Sequence, residues 1–246
     1  MRTIAVIPAR FESKRLPGKP LASIGDKPLI QHVFERASLA KGVDDVLVAT
    51  DDERILSAVE SAGGRAVMTS STHQSGSDRV AEAVSSIDCD LVVNVQGDEP
   101  MIAPEAIDEA VSLARSSEGA ITTLSSAIHD RDEVLDPNTV KVVTDRRGFA
   151  LYFSRAPIPP PGPGPLEAGL HWKHIGLYVY PKDVLLELTR LAPTPLELAE
   201  RLEQLRALEN GISIRVATVD AAPAGIDTLD SYQAFVRRWT ERRSRE

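Results

Sequence analysis

The feature that most constrains the fold is an uninterrupted apolar run, Ile4 to Ile7, close to the start of the sequence. A strand with one face in water alternates apolar and polar residues, whereas a strand covered on both faces is apolar throughout. Pro8 follows at once and cannot donate a ladder hydrogen bond, so the strand should end there. The run therefore predicts a buried strand of a sheet that is covered on both sides by helices.

A basic loop follows this strand. Four cations stand within eleven residues after Pro8, and they are Arg10, Lys14, Arg15 and Lys19. Gly18 lies among them, and its missing Cβ lets the backbone approach a ligand closely. The combination suits the phosphates of a nucleoside triphosphate. Neither Gly-x-x-x-x-Gly-Lys-Ser/Thr nor Gly-x-Gly-x-x-Gly is present, so from the loop alone solvated surface charges are an equal alternative.

Composition limits the classes of protein. The 246 residues carry a formal net charge of −8, so the chain lacks the pervasive basic surface of a nucleic-acid binder, and we expect no nucleic-acid partner. The single cysteine, Cys89, excludes an intramolecular disulfide and is interpreted as structural. No secretory leader is visible, and no apolar run approaches the roughly 20 residues that cross a bilayer. We therefore expect a cytoplasmic protein with no membrane partner.

Strands and helices alternate through the first half. Apolar spacing predicts an amphipathic helix from Pro28 to about Leu39, Thr50 and Glu53 have the spacing of a capping box for the next helix, and another helix should begin near Asp78. The remaining predicted elements are strands at Val46 to Ala49, Ala66 to Met68, Leu91 to Val95 and Ala120 to Ser125, and a helix from about Pro104 to Ala114. In such an open α/β sheet, ligands bind beyond the carboxyl ends of the strands.

The pattern changes after about Ser126. Val140 to Val143 and Ala150 to Phe153 predict a β-hairpin. Pro157 to Pro165 contains six prolines and predicts an extended, mobile surface loop. In the following strand, His174 to Tyr180, alternation puts one set of side chains on a common face: His174, Gly176, Tyr178 and Tyr180. The second half therefore departs from the simple strand and helix alternation.

The last elements are helical on either side of one strand. Thr194 and Glu197 give a cap and a capping-box acid for a single helix that ends near Gly211. Its predicted apolar stripe is Leu198, Leu202 and Leu205. Ile212 to Val219 predicts a strand, and the closing helix should bury Tyr232, Phe235 and Trp239.

These elements predict one fold class. It is α/β, with a helix-flanked, mostly parallel, Rossmann-like sheet and a smaller mixed subsheet. No linker is long enough to require independent domains, so residues 1–246 are predicted to form a single domain with a first half, residues 1–126, and a second half, residues 127–246.

Two aspartates offer metal ligands. Asp98 follows a buried strand and a glycine, and Asp227 follows Gly225-Ile226 just before a helix start. If they come together they could hold Mg²⁺, which takes few protein oxygens and shares its other positions with phosphate and water. Taken singly, Asp98 as a turn residue and Asp227 as a helix N-terminal charge are the simpler interpretations.

A series of motifs along almost the whole chain resembles the 3-deoxy-manno-octulosonate cytidylyltransferase family, also called CMP-Kdo synthetases. The motifs are Ile7-Pro8-Ala9-Arg10, Arg15 to Leu21, Thr50-Asp51-Asp52, His73 to Arg79, Asn94 to Pro100, Ser154 to Pro159, His174 to Tyr178, Leu202 to Arg206 and Gly225 to Thr228. Several multi-residue motifs in the right order are far more specific than any one of them.

The resemblance implies a reaction in which the anomeric hydroxyl of Kdo attacks the α-phosphate of CTP, giving CMP-Kdo and pyrophosphate for lipopolysaccharide inner-core synthesis. It implies a homodimer and a Mg²⁺ cofactor held by Asp98 and Asp227. The implied catalytic residues are Arg10, Lys19, Asp98 and Asp227. The implied nucleotide-binding residues are Ala9, Arg10, Arg15, Lys19, Ser75, Arg79 and Gln96. The implied sugar-binding residues are Gln96, Arg155, His174, Tyr178, Glu203 and Gln204. The first half would bind nucleotide, and the second would bind sugar and form the dimer.

Alternatives remain open. Another acid sugar, such as 8-amino-Kdo or a sialic acid, would change only the sugar pocket. A glycosyltransferase usually offers an Asp-x-Asp pair, but Asp88-Cys89-Asp90 precedes its strand and Asp130-Arg131-Asp132 lies beyond the strand series. A noncatalytic nucleotide-binding regulator is the third possibility. His174 could also be a satisfied core histidine, and Glu203 or Gln204 a solvated helix residue.

Overall fold

The structure is a computed structural model that describes residues 1–12, 16–220, 225–226 and 228–243. Two residues of the predicted site, Arg15 and Asp227, lie outside the described residues. The chain divides into two compact units, one of Met1–Asp108 with Pro223–Glu246 and one of Glu109–Ala222. The single-domain interpretation of residues 1–246 stays a prediction.

The first unit alternates strands and helices. In chain order its elements, up to the helix that runs into the second unit, are β1 Thr3–Ala9, β2 Ser23–Ile24, β3 Lys27–Pro28, α1 Leu29–Ala37, β4 Asp45–Thr50, α2 Glu53–Ser61, β5 Ala66–Met68, α3 Gly76–Val84, β6 Leu91–Asn94 and α4 Pro104–Arg115. Strands β6, β1, β4 and β5 pair in that order and are all parallel. β2 and β3 form a separate antiparallel ladder.

The core of this unit lies on both faces of β1. Residues 4 to 7 are each no more than 1% exposed, as the apolar run predicts. Helix α1 buries Leu29, Ile30 and Val33 and contacts β1 and β4, while α3 contacts β1, β4 and β6. Each fully buried branched side chain contributes about 1.5–3 kcal/mol to folding. The carboxyl ends of β1 and β6 are thereby fixed relative to each other.

The second unit is a mixed sheet with short helices. Its remaining elements are β7 Ile121–Ala127, α5 Arg131–Leu135, β8 Lys141–Thr144, β9 Ala150–Ser154, β10 Trp172–Pro181, α6 Lys182–Leu188, α7 Pro195–Glu200, α8 Gln204–Glu209 and β11 Ile214–Thr218. β11 pairs with β7 in parallel, and the β7–β10, β10–β8 and β8–β9 ladders are antiparallel. The chain ends in α9, Leu229–Arg243, which returns to the first unit. The predicted α/β class and the β8–β9 hairpin are confirmed.

Two predictions of helix starts are wrong. Helix α2 is capped by Asp52, whose carboxylate accepts from the amide of Arg54 at 2.9 Å, while Thr50 ends β4. Helix α3 begins at Gly76 rather than near Asp78, because Ser75 and Asp78 form a reciprocal capping box. Both errors are shifts of two residues at a polar segment that offers several caps.

The single helix predicted from Thr194 to Gly211 is also wrong. Arg201 adopts φ 56°, which ends α7 at Glu200, and α8 starts three residues later. The predicted apolar stripe breaks with it, because Leu198 is 65% exposed while Leu205 is fully buried. A left-handed arginine carries no local sequence signal, since asparagine and glycine are the usual residues there.

Strand β10 is longer than predicted and irregular. Its pairing with β7 shifts register between Ile175 and Tyr178. The side chains of His174, Tyr178 and Tyr180 nevertheless contact one another in sequence, with ring centroids 5.3 and 5.7 Å apart. The predicted common face of these three residues is therefore confirmed despite the shift. Among the described residues, no helix is both long and apolar enough to cross a bilayer.

Candidate active site

The basic loop begins where β1 ends. Ala9 is buried as the last residue of β1, and Arg10 is exposed directly after it. Gly18 adopts φ 67°, and its amide donates to the carbonyl of Phe11 at 3.1 Å. A Cβ at residue 18 would lie 3.2 Å from the Phe11 ring, so both the conformation and the close packing favour glycine. Gly18 is thus held against Phe11, and Lys19 follows it directly.

Lys19 and Asp98 form the central contact of this site. The ammonium of Lys19 lies 2.7 Å from Oδ2 of Asp98 and 3.0 Å from the carbonyl oxygen of Ile226. Their side chains are only 16% and 25% exposed, so the pair is shielded but still reachable. The amide of Ile226 donates to the carbonyl of Asp98 at 2.8 Å. The basic loop, the acidic turn after β6 and the segment that precedes Asp227 therefore meet in the first unit.

Gly97 makes this meeting possible. A Cβ at residue 97 would lie 2.8 Å from the backbone carbonyl oxygen of Pro8, which is closer than real Cβ contacts. The acidic turn can therefore pass beside the end of β1 only with glycine at this position. The close packing of Gly97 on Pro8 therefore determines the position of Asp98.

Replacing Gly97 by alanine should displace Asp98. We expect Gly97→Ala to lower the free energy of unfolding by about 1–3 kcal/mol, because backbone must move to admit the methyl group. Turnover should fall further than this loss of stability explains. Urea denaturation and pyrophosphate release measure the two effects, with Gly162→Ala as the control, since a Cβ there meets nothing within 4 Å. Equal stability and activity in the two variants would contradict this account of Gly97.

The loop before α3 lies near the same strand end. A Cβ at Gly76 would lie 3.4 Å from the ring of Pro8. The Ser75 hydroxyl accepts from the amide of Asp78 at 3.1 Å, so part of this predicted nucleotide-binding loop is held by its own helix cap. Arg79 is buried and donates to Asp51 at 2.7 Å and to Thr69 at 2.6 Å. Asp51 and Thr69 therefore hold the guanidinium of Arg79, a contact that sequence spacing did not predict.

The strand before the acidic turn carries an unsatisfied amide. Asn94 is 3% exposed, and its Oδ1 has no hydrogen-bond partner among the described residues. A buried polar atom without a partner is uncommon and costs free energy unless water or a ligand satisfies it. It lies two residues before Gln96, a predicted contact of both nucleotide and sugar.

His174 in the second unit is held by Thr123. The Thr123 hydroxyl lies 3.0 Å from Nε2 of His174, 2.8 Å from the carbonyl of Leu177 and 3.1 Å from that of Ile175. The hydroxyl has one proton, which a carbonyl takes, so we assign the proton of the imidazole to Nε2. Nδ1 then presents a lone pair. Burial lowers the pKa of His174 to about 3, so the ring is neutral at physiological pH.

The same burial predicts acid sensitivity. The pKa of His174 is about 3 in the folded protein against an ordinary 6.5, so the unfolded chain binds one more proton between these values. The free energy of unfolding should therefore fall on acidification below about pH 6.5, by at most about 1.4 kcal/mol per pH unit from this residue. Urea denaturation from pH 7 to 4 should show a shallower fall in His174→Asn. Identical pH slopes in wild type, His174→Asn and the exposed control His129→Asn would contradict the assignment.

Two other predicted sugar-binding residues, Tyr178 and Gln204, are buried in the second unit. Burial raises the pKa of Tyr178 well above its usual value, with further contributions from the nearby charges of Tyr180 and Glu203, so Tyr178 stays a neutral hydrogen-bond donor. Gln204 is 9% exposed, and its Nε2 has no partner among the described residues. A buried amide without an acceptor is typical of a position that a ligand or water completes.

Arg155 follows β9, two residues after Phe153, whose ring lies 5.0 Å from that of His174. Its Nε donates to the carbonyl of Glu200 at 2.9 Å and its Nη1 to that of Pro137 at 3.0 Å. Three guanidinium protons have no partner among the described residues, and they suit a carboxylate. Within the second unit, the rings of His174 and Tyr178 contact each other, and the charge of Glu203 acts on Tyr178.

The metal prediction has one described ligand. Asp98 offers carboxylate oxygens of the kind that Mg²⁺ prefers, at a partly exposed position, so this residue fits. Across the described part of the chain, no group of three or more His, Cys, Asp or Glu side chains could hold a metal ion. A cation here would need oxygens from substrate as well as protein.

The chain is similar to cytidylyltransferases of known sequence and structure. The family model described as cytidylyltransferase matches residues 4–214. A 3-deoxy-manno-octulosonate cytidylyltransferase of Geobacter metallireducens is 52% identical over an alignment of 248 positions that covers 97% of this chain and 98% of the relative. One of Thermodesulfovibrio yellowstonii is 49% identical, with 95% and 96% covered. A solved CMP:2-keto-3-deoxy-manno-octonic acid synthetase complexed with CTP matches with a TM-score of 0.93 at 43% identity, over 98% of this chain and 100% of that chain.

These matches, with the cation and carboxylate paired at the ends of parallel strands, define the chain as a nucleotidyltransferase. This enzyme class replaces the glycosyltransferase and regulator hypotheses. Within the class, the chain belongs to the 3-deoxy-manno-octulosonate cytidylyltransferase family. The family resemblance found in the sequence is thereby confirmed.

Proposed function

We propose that this enzyme transfers CMP from CTP to the anomeric hydroxyl of Kdo and releases pyrophosphate. The observation that carries the proposal is the Lys19–Asp98 pair, 2.7 Å apart at the ends of β1 and β6, where an open α/β sheet binds its ligand. The names of the relatives and the CTP complex of the structural neighbour support the choice of substrates.

The first unit supplies the proposed nucleotide site. Arg10 and Lys19, with Arg15 from outside the described residues, bind the triphosphate through charge and hydrogen bonds. The backbone of Ala9 and the loop from Ser75 to Arg79 bind cytosine and ribose. Arg79 acts here as a buried anchor, because Asp51 and Thr69 already take its guanidinium. Gln96 contacts both the nucleotide and the sugar in this proposal.

Magnesium is the proposed cofactor, with Asp98 and Asp227 as its protein ligands. When bound it would neutralise charge on the phosphates and favour departure of pyrophosphate. The main-chain hydrogen bond between Ile226 and Asp98 supports the pairing, since it brings the residue before Asp227 to the acidic turn. The ammonium of Lys19 lies next to the Asp98 carboxylate, so a positive charge stands beside this carboxylate even without the metal.

The second unit supplies the proposed sugar site. Arg155 binds the carboxylate of the acid sugar through its remaining guanidinium protons. Because both rings are neutral, His174 accepts a hydrogen bond from a sugar hydroxyl at Nδ1, and the Tyr178 hydroxyl donates a hydrogen bond to a sugar oxygen. The unsatisfied Nε2 of Gln204 donates to a sugar oxygen, and Glu203 accepts from a hydroxyl.

In the reaction, the anomeric oxygen forms a bond to the α-phosphorus while the bond to the pyrophosphate oxygen breaks. The hydroxyl proton passes to solvent, because no described side chain is assigned as a general base. The enzyme then works chiefly by holding two anionic substrates in line and stabilising charge. We further propose that the product serves lipopolysaccharide synthesis and that the enzyme is a homodimer formed through residues 127–246.

Pyrophosphate release tests the proposal. Wild-type enzyme with Mg²⁺ should release pyrophosphate with CTP and Kdo, and far more slowly with ATP, GTP or UTP. Release only with 8-amino-Kdo or N-acetylneuraminate would keep the reaction class and refute the choice of sugar. Absence of release with every acid sugar would contradict the proposed function.

A further inference from the structure

Arg155 is held at every polar group of its main chain and at two side-chain nitrogens. Its amide donates to Oε2 of Glu200 at 2.9 Å, and its carbonyl accepts from Nζ of Lys141 at 2.6 Å. Its Nε and Nη1 donate to the carbonyls of Glu200 and Pro137. A surface arginine normally keeps its rotamer freedom, so four restraints on one partly exposed arginine need a reason.

Lys141 is the first source of these restraints. Its side chain is fully buried, and its three donors reach three backbone carbonyls: Asp136 at 2.9 Å, Thr139 at 2.5 Å and Arg155 at 2.6 Å. Burial lowers the pKa of Lys141, yet three acceptors match the three protons of an ammonium. A buried cation is costly, and this one joins the loop before β8 to the residue after β9.

Glu200 is the second source. It is the last residue of α7, at the helix break that Arg201 creates. Its Oε1 accepts from the Ser154 hydroxyl at 2.6 Å, and its Oε2 accepts from the amide of Arg155. Burial alone would raise the pKa of Glu200, but the hydrogen bonds from Ser154 and Arg155 outweigh it and hold the pKa below its usual range. Glu200 therefore stays ionised, and its two carboxylate oxygens hold the Ser154 hydroxyl and the Arg155 amide.

We propose that Lys141 and Glu200 are positioning residues that fix the guanidinium of Arg155 for the carboxylate of the acid sugar. The inference rests on the proposed function, and it adds two residues that touch no substrate. The carbonyl of Glu200 accepts from Nε, and the carbonyl of Pro137 accepts one Nη1 proton. The edge of the guanidinium with the two Nη2 protons and the second Nη1 proton is therefore the part that can bind a carboxylate. A preformed edge discriminates a carboxylate from its neutral analogue better than a mobile one does.

The test compares Glu200→Gln with Glu187→Gln, since Glu187 is an exposed glutamate on α6. Glutamine keeps the volume of residue 200, but its amide nitrogen opposes a donor. The KM for Kdo should rise about tenfold or more, with the KM for CTP within about twofold of the control. The preference of the enzyme for Kdo over Kdo carboxamide, as a ratio of kcat/KM values, should fall by a similar factor.

A double-mutant cycle distinguishes a positioning role of Glu200 from a nonspecific effect of the substitution on the structure. If Glu200 acts through Arg155, Glu200→Gln should change the KM for Kdo little once Arg155→Ala is present. Should Glu200→Gln fail to fold by circular dichroism, Glu200→Asp against Glu187→Asp replaces it, with at least about a threefold rise in the KM for Kdo expected. Lys141→Met should show the same split between the two substrates.

The outcomes distinguish the two proposals. Wild-type enzyme that is inactive with CTP and every acid sugar contradicts the proposed function itself. Active wild-type enzyme, with a KM for Kdo in the Glu200 variant within about twofold of the Glu187 control, overturns the positioning role alone. Additive effects in the cycle, or equal rises in both KM values, also overturn it.

Discussion

Asp98→Asn should reduce kcat by about a thousandfold while the protein remains folded. Asparagine keeps the shape of the side chain, and its amide oxygen can still accept from Lys19, so the contact that now spans 2.7 Å can persist. What the substitution removes is the negative charge that the proposed metal requires. Because the side chain is partly exposed, losing that charge should cost little stability.

The measurement is pyrophosphate release across a range of Mg²⁺ concentrations, with thermal unfolding in parallel. Asp88→Asn is the matched control, since Asp88 is exposed and carries the same chemistry away from the site. The control should behave as wild type in both assays. Near-normal kcat in Asp98→Asn at the same Mg²⁺ concentration would refute the assigned role of Asp98.

Lys19→Met should lower kcat/KM for CTP by about a hundredfold to a thousandfold. Methionine keeps most of the apolar stem of lysine but removes the ammonium that is proposed to bind the triphosphate. It also removes the ammonium 2.7 Å from Asp98, so that carboxylate becomes a better ligand for a cation. The affinity for Mn²⁺ in the absence of nucleotide should therefore rise, which is the opposite direction from the effect on turnover.

Two measurements test this prediction. Steady-state kinetics gives kcat/KM for CTP, and Mn²⁺ titration followed by electron paramagnetic resonance gives metal affinity without turnover. Lys41→Met is the control, since Lys41 is exposed. An unchanged kcat/KM for CTP in Lys19→Met would show that the ammonium makes no contribution to nucleotide binding or transfer.

Much of the fold could be predicted from local sequence because the strands are coded locally. The run from Ile4 to Ile7 is apolar on both faces, and the structure buries both faces. The hairpin of β8 and β9 follows from two short runs around a polar turn. Helix ends were harder, since Asp52 replaced Thr50 as a cap within the same polar segment.

The errors came from features that tertiary contacts decide. The left-handed Arg201 breaks a segment whose apolar spacing predicts one helix, and Glu200 just before it bonds to Ser154 and Arg155, which are distant in sequence. Lys141 lies in an apolar run, where its charge signals something unusual, but its three carbonyl acceptors come from the loop before β8 and from Arg155, which follows β9. The bond from Ser154 to Glu200 joins residues 46 positions apart. No spacing rule reaches that far.

The site divides in the same way. Its residue types could be named from the motifs, since cations after a first strand and an aspartate after a buried strand indicate phosphate and metal chemistry. The pairing of Lys19 with Asp98, 79 positions apart, required the structure. Residue roles in the sugar site stay predictions, supported by the neutral His174 and the unsatisfied Gln204.

The measurement that tests the central claim most directly follows one oxygen atom. Kdo labelled with ¹⁸O at the anomeric hydroxyl is incubated with CTP, Mg²⁺ and enzyme, and the nucleotide product is examined by mass spectrometry and ³¹P nuclear magnetic resonance. The account predicts CMP-Kdo with ¹⁸O bridging sugar and phosphorus, together with one unlabelled pyrophosphate. CMP without sugar, or a CMP-Kdo whose bridging oxygen is unlabelled, would contradict it.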